Sequence, residues 1–152
     1  MRRTIAVALL LLVADVARSQ APCKLEGVWQ LVSGKTDGKS YASSSREMKI
    51  IAKGHFAFVS EEDRGVKELR TVADTLQAYR TMASGGGTYA VQGTTYTEKL
   101  DYFSDPTYVG RSIVFSCRVE GDRFYQTGLF PVFEQGKKVR DTKLEEVWRR
   151  VE

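Results

Sequence analysis

Three two-residue turn signals, each flanked by short runs rich in β-branched and aromatic residues, constrain this chain more than any other feature. Lys53-Gly54 separates Arg46–Ala52 from His55–Ser60, Gly93-Thr94 separates Thr88–Gln92 from Thr95–Phe103, and Gly121-Asp122 separates Arg111–Glu120 from Arg123–Phe130. Glycine-containing pairs of this kind close tight β-hairpins. A first strand at Gly27–Ser33 and a last at Lys143–Val151 bring the expected count to eight. On the first strand Trp29 and Leu31 share one face, and Val28 and Val32 the other. Consecutive antiparallel strands with local turns suit an up-and-down barrel, which leaves no sheet edge exposed. A β-sandwich would need longer crossovers. The segments Thr36–Ser45 and Glu134–Asp141 are polar and read as loops.

One stretch breaks the two-residue period. Between residues 66 and 83 the apolar positions Val66, Leu69, Val72, Ala73, Leu76, Tyr79, Met82 and Ala83 recur at steps of three and four. This predicts a helix with one apolar face, Val66–Ala83, inserted between strands three and four. Gly85-Gly86-Gly87 is expected to stop it. Those glycines lack the Lys-Ser/Thr ending of a phosphate-binding loop and follow a helix instead of preceding one.

The chain has 152 residues, room for one domain. Its beginning stands apart. Met1-Arg2-Arg3-Thr4 is basic, Ile5–Ala14 is an unbroken apolar run, and Ala17-Arg18-Ser19 places small residues where a signal peptidase reads. Residues 1–19 therefore read as a cleaved secretory signal peptide, and 20–152 as a single exported domain, secreted or periplasmic. The apolar run is too short to span a bilayer. Gln20 and Pro22 do not fit the lipobox that would make Cys23 a lipid anchor. Cys23 and Cys117 are the only cysteines, and export favours a bridge between them, with two buried thiols as the alternative.

With Arg2, Arg3, Arg18 and Asp15 removed, 20 basic and 18 acidic residues remain, interleaved along the chain. No one-sided basic stripe marks a nucleic-acid binder. No metal-ligand spacing, nucleophile motif or cofactor-binding fingerprint occurs, so neither a metal nor a cofactor is expected.

Gly27-Val28-Trp29 opens the first strand and Trp148-Arg149-Arg150 ends the last. Together they resemble the lipocalin, or calycin, pattern, in which a first-strand Trp closes one barrel end beneath an Arg from the last strand. That likeness implies that Arg149 or Arg150 covers Trp29 by cation–π contact and aliphatic packing. Lys49-Ile50-Ile51, His55-Phe56, Gly85-Gly86-Gly87-Thr88-Tyr89, Tyr96-Thr97-Glu98, Tyr125-Gln126 and Glu146-Val147-Trp148 extend it. The chain from Leu25 to Val151 is similar to a bacterial group of secreted lipocalin-like domains. The likeness implies a fold and supplies no activity.

Few residues carry chemistry. His55 is the sole histidine, and its ordinary pKa suits proton transfer near neutrality. Tyr96, Glu98, Leu100 and Tyr102 share a strand face, where a carboxylate turned inward needs hydrogen-bond donors or a raised pKa. Phe124 and Gln126 share another. Apolar walls with a few fixed polar groups are what a ligand pocket needs. The leading expectation is thus an exported, non-enzymatic binding protein. Its small apolar or aromatic ligand would lie among Tyr89, Tyr96, Tyr102, Phe124 and Tyr125, oriented by Glu98, Gln126 and His55. The alternatives are a barrel enzyme of isomerase, cyclase or lyase type using a His55/Glu98 acid–base pair, and a scaffold with a filled interior.

Overall fold

A computed structural model describes residues 22–41, 45–62 and 67–152. The expected signal peptide, residues 1–19, and the helical position Val66 lie outside the described residues. The strands are β1 (Gly27–Thr36), β2 (Lys39–Ser40), β3 (Ser45–Ala52), β4 (His55–Glu62), β5 (Met82–Gln92), β6 (Thr95–Phe103), β7 (Ser112–Glu120), β8 (Arg123–Glu134) and β9 (Lys137–Arg150). Each pairs antiparallel with the next around the sheet, and β9 returns to β1 (Leu31 opposite Trp148). The result is a closed eight-stranded barrel, with β2 a two-residue appendage on the far end of β1.

The three expected hairpins are present, with Lys53 and Gly54 both at positive φ. Two further tight turns correct the reading of polar loops. Asp37-Gly38 folds β1 back into β2, and Gln135-Gly136 joins β8 directly to β9. In both pairs the first residue takes the left-handed conformation, which Asp-Gly signals and Gln-Gly does not. Their polar flanks hid the strands, because both stretches are exposed on either face.

The helix needs correction in place, length and packing. It is α1 (Val72–Arg80) and follows β4, not the third strand, because the short β2 precedes it. Thr71 caps it, accepting from the Asp74 N–H while the Asp74 carboxylate accepts from the Thr71 N–H. None of its residues is buried, and Val72, Leu76 and Tyr79 face outward on a helix that packs no apolar stripe. Met82 and Ala83 already belong to β5. Gly85-Gly86-Gly87, expected as a helix stop, lies inside that strand, facing Phe58, Ala57 and Phe56 of β4. A Cβ on Gly85 would lie 2.8 Å from the Phe58 ring and 2.9 Å from that of Phe103, so the glycine makes room for two interior aromatics.

At one end the barrel is solid. Leu25, Trp29, Ile51, Phe56, Tyr96, Phe115, Cys117, Phe124 and Trp148 fill it. The Cys23–Cys117 disulfide ties the segment before β1 across this end. Trp29 donates from Nε1 to the Leu25 carbonyl at 2.7 Å, and the Arg150 guanidinium lies 4.1 Å from its ring centroid. The cover is therefore Arg150, while Arg149 points outward toward Gln30. Gly27 explains the Gly-x-Trp spacing. Its φ is +141°, and a Cβ there would run into Arg150 Nη1. At the opposite end Tyr108, in a 3-10 turn (Pro106–Tyr108), packs on Phe103, Phe130 and Phe133. Among the described residues no helix is long and apolar enough to cross a membrane.

Candidate functional site

The inward positions of β3, β6 and β9 carry charge, and one on β8 an amide, where a barrel of this size would ordinarily carry aliphatics. Ile51 points into the closed end, so the two-residue period puts Lys49 and Glu47 on the same inner face. Trp148 fixes Glu146 and Leu144 in the same way on β9, Phe124 fixes Gln126 on β8, and Tyr96 fixes Glu98 and Leu100 on β6.

Lys49 lies at the centre, 3% exposed. Its ammonium donates to Glu98 Oε1 at 2.8 Å and to Gln126 Oε1 at 3.2 Å, and stands 4.8 Å from the Trp148 ring centroid. Tyr96 donates its hydroxyl to the same Glu98 oxygen at 2.7 Å. Gln126 passes the chain on, donating from Nε2 to Glu146 Oε2 at 2.5 Å, and Tyr41 donates to Glu146 Oε1. Networks like this are stable only when their members satisfy one another, since a lone buried charge is costly. One donor is left over. Trp148 Nε1 is buried and makes no hydrogen bond of ordinary geometry, although it lies near enough to Glu146 to favour that carboxylate's charge.

Three carboxyls face one ammonium. Burial pushes the partly open Glu47 carboxyl up to about 8, with the charge of Glu146 adding to the effect, while Lys49 opposes it. Burial likewise raises Glu146, against the pull of Lys49 and the Tyr41 hydroxyl. Burial disfavours the Lys49 ammonium, but Glu98, Glu146 and Glu47 outweigh it and hold Lys49 above its ordinary range. The Tyr96 and Tyr41 hydroxyls are driven up by burial and by the carboxylates they serve, so both are donors throughout the neutral range.

Beside this network the interior is hollow. A cavity of about 150 Å3 is lined on one side by Glu47, Lys49, Glu98, Gln126 and Glu146. Its other side is apolar, built from Phe58, Leu100, Phe103, Phe115, Phe130 and Leu144. That volume is enough for a benzene-sized body and below the ~300–1,000 Å3 of drug-sized pockets.

Of the residues expected to form the site, Glu98 and Gln126 reach the cavity, and Tyr96 reaches it through its hydroxyl bond to Glu98. The others do not converge there. Phe124 belongs to the closed end, in edge contact with Trp29. Tyr89 packs edge-on against Tyr96 at the same end. Tyr125 lies on the outer face with the Arg118 guanidinium 3.9 Å from its ring centroid. Tyr102 is 76% exposed, because the ladder with β5 slips there: Gly87 pairs with Leu100 and Gly86 with Tyr102, leaving Asp101 as an extra residue. Beyond this bulge the faces exchange, so Phe103 turns inward in place of Tyr102. His55 is exposed on the outer wall, with Nδ1 3.0 Å from the Lys53 carbonyl. Its neighbour Phe56 points in, so His55 and Glu98 stand on opposite faces of the wall and form no acid–base pair.

Sequence reasoning missed Glu47, Lys49, Tyr41 and Glu146. For three of them the signal was present: the parity of Ile51 and of Trp148, both large and apolar, carries the inner face back to Lys49 and Glu47 and to Glu146. Tyr41 lies just past β2 and had no such anchor. Among the described residues no group of three or more His, Cys, Asp and Glu is placed to hold a metal ion. No protein-family model matches this chain, and no curated protein matches it.

Proposed function

We propose that this is an exported, lipocalin-like binding protein that holds a small molecule inside the barrel, at the end away from Trp29. The observation that carries the reading is the cavity itself, in which an aromatic and aliphatic wall faces a fixed set of hydrogen-bonding groups. Apolar lining gives such a site its affinity, and a few preorganised polar atoms give it orientation. Export rests on the signal-peptide layout of residues 1–19, and the Cys23–Cys117 bridge fits an oxidising compartment. The volume limits the ligand to a compact body, about the size of one aromatic ring. The scaffold alternative has support only at the Trp29 end, which is filled. The acid–base alternative loses its histidine to the outer wall.

Native mass spectrometry of protein purified from its own host, with a thermal-shift screen of single-ring compounds, tests this. The expected result is a retained or added small molecule that raises Tm by several degrees in the parent protein. Ala83, which lines the cavity, offers a block: Ala83→Leu should remove the shift while leaving the apo Tm near its parent value. A protein that carries nothing and gives no shift across the library is not a binding protein of this kind.

A further inference from the structure

Resting on that reading, we infer that the cavity selects a small organic cation: an ammonium or amidinium group on a single-ring or similarly compact apolar body. Charge and hydrogen-bond geometry carry the inference. Glu47, Glu98 and Glu146 all line the cavity, and among its described lining residues Lys49 is the single cation. Lys49 gives two of its three N–H donors to Glu98 and Gln126, and Glu146 has both oxygens taken, by Tyr41 and Gln126. Glu98 is different. Its Oε1 accepts from both Tyr96 and Lys49, whereas its Oε2 accepts from none of the described residues. Glu98 lines the cavity, and a ligand N–H there would give Oε2 a charge-assisted hydrogen bond.

The interior already demonstrates the chemistry it suits. Lys49 places an ammonium between Glu98 and the face of Trp148, a carboxylate on one side and an indole ring on the other. A second ammonium entering from the apolar side would find Glu98 Oε2 and the Glu47 carboxyl, with Phe58, Phe103 and Phe115 around its body. An anion would meet three lining carboxyls, with the single lining cation already paired to Glu98.

Binding of a cation should displace a proton. The groups facing Glu47 are Lys49 on its own strand, Glu98 on β6, Glu146 on β9, Tyr41 beyond β2 and the Ser60 hydroxyl on β4. Without a ligand the cluster relieves its excess of carboxyls by keeping Glu47 protonated near neutral pH. An arriving positive charge favours the ionised form, so Glu47 releases its proton and affinity rises as pH climbs toward 8.

Isothermal titration of the disulfide-bonded protein with benzylammonium, benzyl alcohol and benzoate tests the inference, at pH 6 and pH 8 and in two buffers of different ionisation enthalpy. The expected result is benzylammonium binding at least tenfold tighter than the alcohol, no measurable benzoate binding, and net proton release at pH 6–7. Glu98→Gln should shrink the cation's advantage severalfold. Glu47→Gln, which mimics the protonated state and so leaves the fold intact, should abolish the buffer-dependent proton release. If benzyl alcohol binds as tightly as benzylammonium, the charge preference is wrong while the binding cavity survives. If none of the three binds, the inference is overturned, and the library screen then judges the cavity separately.

Discussion

Gly27, Trp29 and Arg150 act as one unit, and the order of their sensitivities is open to measurement. The Arg150 guanidinium both covers the Trp29 ring and donates to the Glu26 carbonyl at 2.6 Å. It can lie there only because residue 27 has no Cβ. Gly27→Ala introduces strain at a positive φ and pushes the cover aside, and should cost about 2 kcal/mol in chemical denaturation. Arg150→Met keeps the aliphatic cover and loses the charge, for about 1 kcal/mol. A neutral Gly27→Ala would mean that the arginine, not the glycine, adapts. Lys49 is the other decisive residue. Removing it as Lys49→Met strands Glu98 and Glu146 in the interior without their cation, which should destabilise by ~3–5 kcal/mol. Adding Glu98→Gln should recover part of that loss, a coupling that a double-mutant cycle reads directly. Simple additivity of the two changes would show that Lys49 and Glu98 do not depend on each other.

The strands were legible in the sequence to the extent that their turns were. Lys53-Gly54, Gly93-Thr94 and Gly121-Asp122 announced three hairpins, and Trp29 and Trp148 announced the closing pair of strands. The end of β8 and the start of β9 were lost because β8 is half-buried on both faces from Pro131 to Phe133 and β9 is exposed on both from Lys137 to Asp141, so neither carries an alternation to read. The helix misled for a related reason. Its apolar residues repeat at helical spacing, yet it lies outside the barrel and buries none of them, so periodicity gave the type of element and not its role. A paired substitution checks this. Leu76→Ala on α1 should change stability by less than about 0.5 kcal/mol, whereas Leu100→Ala in β6 should cost ~2–5 kcal/mol. Equal effects would mean that α1 is packed after all. The candidate site was half legible. Period-two reasoning found Glu98 and Gln126, but it failed at Tyr102, where one extra residue in β6 reverses the faces, since no local composition announces a bulge.

Closure of the barrel forces the interior charges to share one small volume, and that makes global stability depend on pH in a definite direction. The Glu47 carboxyl, about 8 when folded against an ordinary 4.5, holds in the native state a proton that the unfolded chain has already released at neutral pH. Protonation therefore favours folding: the stabilisation is full below pH 4.5, declines as pH rises to about 8, and is constant above. Glu146 is shifted in the same direction and adds to the slope. Lys49 does not offset it, because a lysine held above its ordinary 10.5 loses its stabilising share only in the alkaline range beyond. Each such group contributes at most ~1.4 kcal/mol per pH unit. The denaturation midpoint should thus fall between pH 5 and 8, with the Cys23–Cys117 bridge kept intact throughout, since its loss removes a constraint spanning 94 residues and lowers the whole curve. Glu47→Gln should be nearly neutral at pH 5, should flatten the fall, and should leave the variant more stable than the parent at pH 8. A parent protein whose midpoint is flat from pH 5 to 8, or a Glu47→Gln variant that tracks the parent at every pH, would mean that the carboxyl is solvated and that the barrel does not confine these charges together.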